Sequence, residues 1–162
     1  MPRPVLIDTD AGVDDALAII FAVRSPELSV KAITTVAGNA RVEQCTRNVF
    51  YLLHLLGMTN DIPVSQGAAK PLRKRLVTAP EVHGRDGFGN THPRHQNVRL
   101  LSQRAYDVII SAAEIYGKRL TIIALGPLTN IARAQKKNPA ALRKIGAIVS
   151  MGGAFRVPGN TG

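Results

Sequence analysis

Residues 5–20, VLIDTDAGVDDALAII, decide the fold. The segment opens on a short apolar run, Val5-Leu6-Ile7, of the kind buried on both faces in a parallel strand. Four acids follow within eight residues: Asp8, Asp10, Asp14 and Asp15. In an extended strand the period of two sends Asp8 and Asp10 to the same side. Gly12 then permits a sharp turn. Residues 13–24 read as a helix, with Asp14 and Asp15 in its first turn, where the helix dipole tolerates negative charge. The acids therefore gather at the carboxyl end of a parallel strand, the usual ligand crevice of an open α/β sheet. Four neighbouring carboxylates raise one another's pKa values unless a cation intervenes. Oxygen-only ligands select a hard ion, Ca²⁺ or Mg²⁺, over Zn²⁺, and such an ion can acidify a water into a nucleophile. Starting a helix is the simpler role for Asp14 and Asp15, but a cap needs one acid rather than four.

Outward from this segment, strand-like and helical stretches alternate. SVKAITTVAG reads as a second strand, and residues 41–57 as a longer helix closed by Gly57. DIPVSQG is a short third strand. Residues 66–98 hold Gly, Pro, His and Arg without clean periodicity, and a segment that long inside one domain reads as a lid or binding loop. A helix follows over about 101–117, then the strand RLTIIAL, then a helix opened by Gly126-Pro127 with proline near its first position. GAIVSMGG is the last strand. The order predicts an α/β protein with a doubly wound, mostly parallel open sheet. RVPGNTG, in a loop after a strand, is an unusual place for such a domain to stop, so 1–162 is expected to be the N-terminal part of a single, truncated domain.

The 162 residues suit one compact domain, and 45% apolar with 20% charged residues is ordinary globular composition. No apolar run reaches about 18 residues, and the N-terminus lacks the pattern of a secretion signal. The lone cysteine, Cys45, excludes an internal disulfide framework. These features favour a cytoplasmic protein with no membrane association. The net charge of +10 is uneven: residues 1–65 carry −2 and residues 66–162 carry +12. Such a surface attracts polyanions. Seven aromatics, no Trp and no nucleic-acid-binding motif argue against a specific nucleic-acid partner.

DTDAGVDDALA resembles the N-terminal fingerprint of the nucleoside hydrolase family, of the inosine-uridine preferring type. TTVAGNA, VHGRDGFGN, ALGPLTNIA and VSMGGAF follow in the family's order, so the resemblance runs from residue 5 to about 160. It implies a nucleoside hydrolase: a Ca²⁺-dependent N-glycosidase of purine and pyrimidine salvage that cuts a ribonucleoside into ribose and free base. By the same resemblance Asp10 is a calcium ligand and the base for the attacking water. Asp15 is a calcium ligand, Leu125 offers its backbone carbonyl to the metal, and Asp8 is a supporting acid behind them. Asp14, Asn39, His83, Met151 and Asn160 are expected at the substrate. The family implies a homo-oligomer, a dimer or tetramer, for a complete chain. Its C-terminal half carries a further aspartate ligand and a histidine near the leaving base, so the isolated chain is expected to have little or no activity.

Two other readings compete. One is a truncated, non-catalytic paralogue or subunit that binds ribose or calcium. The other, more remote, rests on the similarity of VLIDTDAG to haloacid dehalogenase-like phosphatases, which use the first acid of an Asp-x-Asp pair as nucleophile. That reading leaves Asp14 and Asp15 without a role.

Overall fold

The computed structural model describes residues 1–92, 100–154 and 156–158. Five strands, β1 (Arg3–Thr9), β2 (Leu28–Thr35), β3 (Val64–Gln66), β4 (Thr121–Ala124) and β5 (Ala147–Ser150), form one sheet in the order β3-β2-β1-β4-β5. Every described pairing is parallel. The helices are α1 (Val13–Arg24), α2 (Val42–Leu55), α3 (Pro80–His83), α4 (Ala105–Tyr116), α5 (Thr129–Lys137) and α6 (Pro139–Leu142). No described helix is long and apolar enough to cross a membrane.

The continuous apolar character of β1 follows from burial on both sides. Leu6, Ala32 and Ile122 face a core completed by α4, α5 and α6, while Ile7, Ile33 and Val64 face one completed by α1 and α2. Successive strand residues alternate between these cores, as the pleat requires. The chain leaves β1 towards α1 on one face and leaves β4 towards α5 on the other. The strand order reverses between these two neighbours, which opens a crevice at their carboxyl ends.

Element types agree with the sequence reading, and α1 agrees in both bounds. Gly57 ends α2 with φ +71, its N–H donating to the His54 carbonyl. Two details differ. Pro127 is not at the start of a helix: α5 begins at Thr129, with Leu128 at the cap. The Leu125 and Gly126 amides still donate to the Asp8 carbonyl, at 2.8 and 3.4 Å, so β1 holds this stretch extended before it turns. Within the segment expected to be irregular, Pro80–His83 forms the single turn α3, with proline in its first turn. On the far side of the sheet, all four residues of β5 are exposed.

Candidate active site

The two-faced pleat sorts the first two polar residues of the fingerprint. Asp8 continues the Leu6 face and is fully buried, where its Oδ1 accepts hydrogen bonds from Thr34 Oγ1 on β2 and from Asn130 Nδ2 on α5, the latter at 2.8 Å. Its Oδ2 is buried without a partner among the described residues. Thr9 continues the opposite face; its hydroxyl donates to Asp15 Oδ1 on α1 and accepts the Ala11 N–H at 2.9 Å. Ala11 has φ +48, a left-handed turn that redirects the chain into α1. Asp15 Oδ2 reaches back to the Gly12 N–H at 3.1 Å, so this acid also caps its own helix.

Asp10 lies beyond the end of β1, where strand alternation no longer governs it. Its Oδ2 accepts the Asn39 N–H at 2.7 Å from the loop after β2. Gly38 makes this approach possible: a Cβ there would stand 2.0 Å from Asp10 Oδ2. The two acids are 5% and 1% exposed, so desolvation opposes their charge. Burial, and then the negative charge of Asp15, pushes the Asp10 pKa up to about 7 despite the Asn39 bond. Burial also raises that of Asp15, opposed by the Thr9 hydroxyl. Asp8 is raised to about 6 by burial, with Asn130 and Thr34 opposing the rise. Gly38→Ala should therefore displace the Asp10 carboxylate, cost about 1–3 kcal/mol of stability by overpacking, and weaken any cation response. Thermal melts with and without CaCl₂ would check this.

Asp10, Asp14, Asn39, His83, Leu125 and Met151 share one cavity of about 620 Å³. Asp14 is exposed at its rim, with Oδ1 3.8 Å from His83 Nδ1, and that same nitrogen accepts the Val13 N–H at 3.3 Å. Met151 is 54% exposed on the cavity wall, so it is not a core methionine. Among the described residues no backbone N–H donates to the Leu125 carbonyl. Asn160, expected at the sugar, lies outside the described residues.

The four acids of the fingerprint occupy three different surroundings. Asp8 is turned into the α5-side core and Asp14 onto the rim, leaving Asp10 and Asp15 as the electrostatically coupled pair. Among the described residues no group of three or more His, Cys, Asp or Glu side chains is arranged to hold a metal. On the cavity wall a hard cation would meet the Asp10 carboxylate and the strand-end Leu125 carbonyl, with Asp15 buried behind them and both its oxygens accepting from Thr9 and Gly12. These are donors of the right chemistry, but fewer than the six to eight oxygens that calcium takes.

Three structural residues escaped the sequence reading. Thr9 orients Asp15. Asn130 also donates to the Thr35 carbonyl at 2.8 Å and accepts the Ala68 N–H at 2.9 Å. Asn48, fully buried on α2, donates to the carbonyls of Ala11 at 3.3 Å and Asp86 at 2.9 Å, tying the acidic turn to the 84–92 loop. The only sequence signal for the two amides was a polar residue inside an otherwise apolar helix face.

An open parallel sheet with paired buried acids at its switch point defines an α/β protein that collects a polar ligand at its strand ends. Comparison narrows the class. Residues 5–162 match the family described as inosine-uridine preferring nucleoside hydrolase. A pyrimidine-specific ribonucleoside hydrolase of Citrobacter koseri is 44% identical over 96% of this chain and 49% of its own length. A probable uridine nucleosidase of Arabidopsis thaliana is 39% identical over 98% of this chain and 49% of its own length. Among solved structures, a plant nucleoside hydrolase superposes with TM-score 0.94 at 46% identity, covering 99% of this chain and 51% of that one. A purine-preferring ribonucleoside hydrolase from Gardnerella vaginalis gives TM-score 0.92 at 36% identity, covering 98% and 51%. The chain belongs to the inosine-uridine preferring nucleoside hydrolase family, and it spans about half the length of the curated relatives it matches.

Proposed function

We propose that this site, as part of a complete family domain, hydrolyses the N-glycosidic bond of ribonucleosides with the help of Ca²⁺. The observation that carries the reading is Asp10: buried, coupled to a second buried acid, and on the wall of the 620 Å³ cavity. Asp10, Asp15 and the Leu125 carbonyl would hold the ion. Calcium bound there would supply acidification of a water and a grip on ribose hydroxyls. Asp10, ionised beside the bound ion, would take a proton from the attacking water as general base. Asp14 and Asn39 would hydrogen-bond ribose hydroxyls while the sugar gains oxocarbenium-like character. Met151 and His83 would pack against the sugar or base, and Asn160 would hold the ribose from its far side. The segment of about 66–98, of which 93–98 lie outside the described residues, would act as the lid. The protein would act in the cytoplasm, on the compositional grounds given above, and as a homo-oligomer, on the strength of family resemblance. The relatives' names include both pyrimidine and purine preferences, so no base is assigned.

A non-catalytic sugar- or calcium-binding role is the second reading, favoured by the absence of a third converging acid among the described residues. The phosphatase reading loses its nucleophile: Asp8 is 0% exposed behind Thr34 and Asn130 and cannot reach a phosphomonoester. The deciding assay measures base release from uridine and inosine with CaCl₂ or with EDTA. It uses the chain alone and the chain co-expressed with the C-terminal half of the Citrobacter koseri relative. Calcium-dependent release, stronger with the added half, is the expected result. Nucleoside binding without release would transfer the assignment to the second reading, and neither binding nor release in either preparation would end both.

A further inference from the structure

A second cavity, of about 480 Å³, lies between the first turn of α2 and the loop carrying α3, and it shares Asn39 with the acidic crevice. Arg41 and Arg47 of the α2 region and Arg85 of the loop line it, with Glu43 as the one acid. None of the three arginines forms an ion pair with a described acid. Arg47 spends one donor on Gln44 Oε1, at 2.7 Å, and makes no other side-chain hydrogen bond among the described residues.

The local chemistry runs against ordinary helix capping. The cap position of α2 holds Arg41, which makes no side-chain cap, where Ser, Thr, Asp or Asn would shield the free amides. A cation at the positive end of a 14-residue helix is electrostatically misplaced. Two more guanidinium groups, exposed like the first, line the same cavity, with Glu43 the one acid among them. An anion in the cavity would remove the conflict. Guanidinium forks match phosphate oxygens, so a phosphate group fits this donor set better than a monovalent halide.

The loop above the cavity is tied to the β2 loop, the start of α1 and α2 at three points. The Ala79 N–H donates to the Asn39 carbonyl at 3.1 Å, His83 Nδ1 accepts from Val13, and Asn48 donates to the Asp86 carbonyl. An anion joining Arg85 to Arg41 and Arg47 would draw this loop onto α2 and hold His83 at the rim.

We propose that this cavity is a phosphate-binding site that fastens the 79–90 loop over the neighbouring crevice. Binding of the phosphate group does not depend on the hydrolase reading, so the two can fail separately. The phosphate can belong to free inorganic phosphate or to a phosphorylated nucleoside that reaches both cavities through Asn39.

The test is calorimetric titration of the full chain with inorganic phosphate and with uridine 5′-monophosphate, at fixed ionic strength in chloride. Saturable one-to-one phosphate binding is expected, with about tenfold loss of affinity for each guanidinium removed. Arg41→Gln/Arg85→Gln should therefore weaken it by roughly a hundredfold. Arg119→Gln, in a basic cavity at the opposite end of the sheet, should leave it unchanged. Monophosphate binding at least tenfold tighter than phosphate assigns the group to a nucleotide, and equal affinities assign it to free phosphate. Hydrogen exchange over residues 79–90 should slow when phosphate is bound, in the parent chain only. Melting temperatures of the variants check that each is folded. Absence of saturable binding, or equal weakening by Arg119→Gln and the double variant, would overturn the site and reduce the effect to the chain's overall positive charge.

Discussion

Asp10→Asn should make the metal-free protein more stable, by up to about 4 kcal/mol at pH 8, while abolishing its response to calcium and any base release. The carboxyl titrates near 3.8 when the chain is unfolded and near 7 when folded. Over that window the folded state binds the extra proton, so stability falls as pH rises from about 4 through 7. At roughly 1.4 kcal/mol per tenfold change, the ionised form carries a cost of about 4 kcal/mol at pH 8 and less than half of that at pH 5. An asparagine keeps an oxygen for the Asn39 N–H and removes the repulsion with Asp15. The gain should therefore be large at pH 8 and small at pH 5. Calcium, which favours the ionised acid, should stabilise the parent chain at pH 8 and do little for the variant. Urea denaturation at both pH values, with and without CaCl₂, reads all of this. A variant less stable than its parent at pH 8, or a difference independent of pH, would mean that Asp10 is not held against its own charge.

Stability given up at a site is usually recovered in function, and that trade was partly visible in the sequence. The crowding of acids in DTDAGVDD announced an electrostatic conflict, and the alternating apolar segments announced the sheet that positions it. What the linear pattern could not give was the division of labour among the four acids. Period two does place Asp8 on the Leu6 face, and so against α5, but it stops applying at Thr9, where β1 ends. Asp10 is set instead by Gly38 and Asn39, which meet it only because β2 runs parallel beside β1. Asn48 and Asn130 were out of reach for a related reason. Each lies on a helix and pairs with backbone 37 to 95 residues away, and no local spacing encodes such a partner. The distant chemistry was named from motif words, whereas the supports beneath it became legible only in three dimensions.

Those supports predict the second large effect: Asn130→Leu should destabilise the protein by roughly 3–5 kcal/mol, since three buried groups lose a partner at about 1–3 kcal/mol each and compensate in part. The amide is 1% exposed and serves three groups at once. Without it, Asp8 keeps only the Thr34 hydroxyl, and the Thr35 carbonyl and the Ala68 N–H are left without this partner in a closed interior. Leucine fills similar space but satisfies none of them. Gly67 offers no slack, since a Cβ there would already stand 2.4 Å from the Asn130 amide oxygen, so the loop packs directly on this side chain. The loss should also depend on pH. The Asn130 bond lowers an Asp8 pKa that burial holds near 6, so removing it pushes that value higher. A raised carboxyl pKa costs most above that value and nothing well below the unfolded 3.8. The variant should therefore lose more stability at pH 8 than at pH 5. Asn130→Asp sharpens the test by restoring an acceptor for Ala68 while placing a second carboxylate against Asp8. It should be poorly tolerated at pH 8 and partly recover at pH 5, where the two acids can share a proton. Losses below about 1 kcal/mol, or equal losses at both pH values for both variants, would show that Asp8 does not depend on this amide.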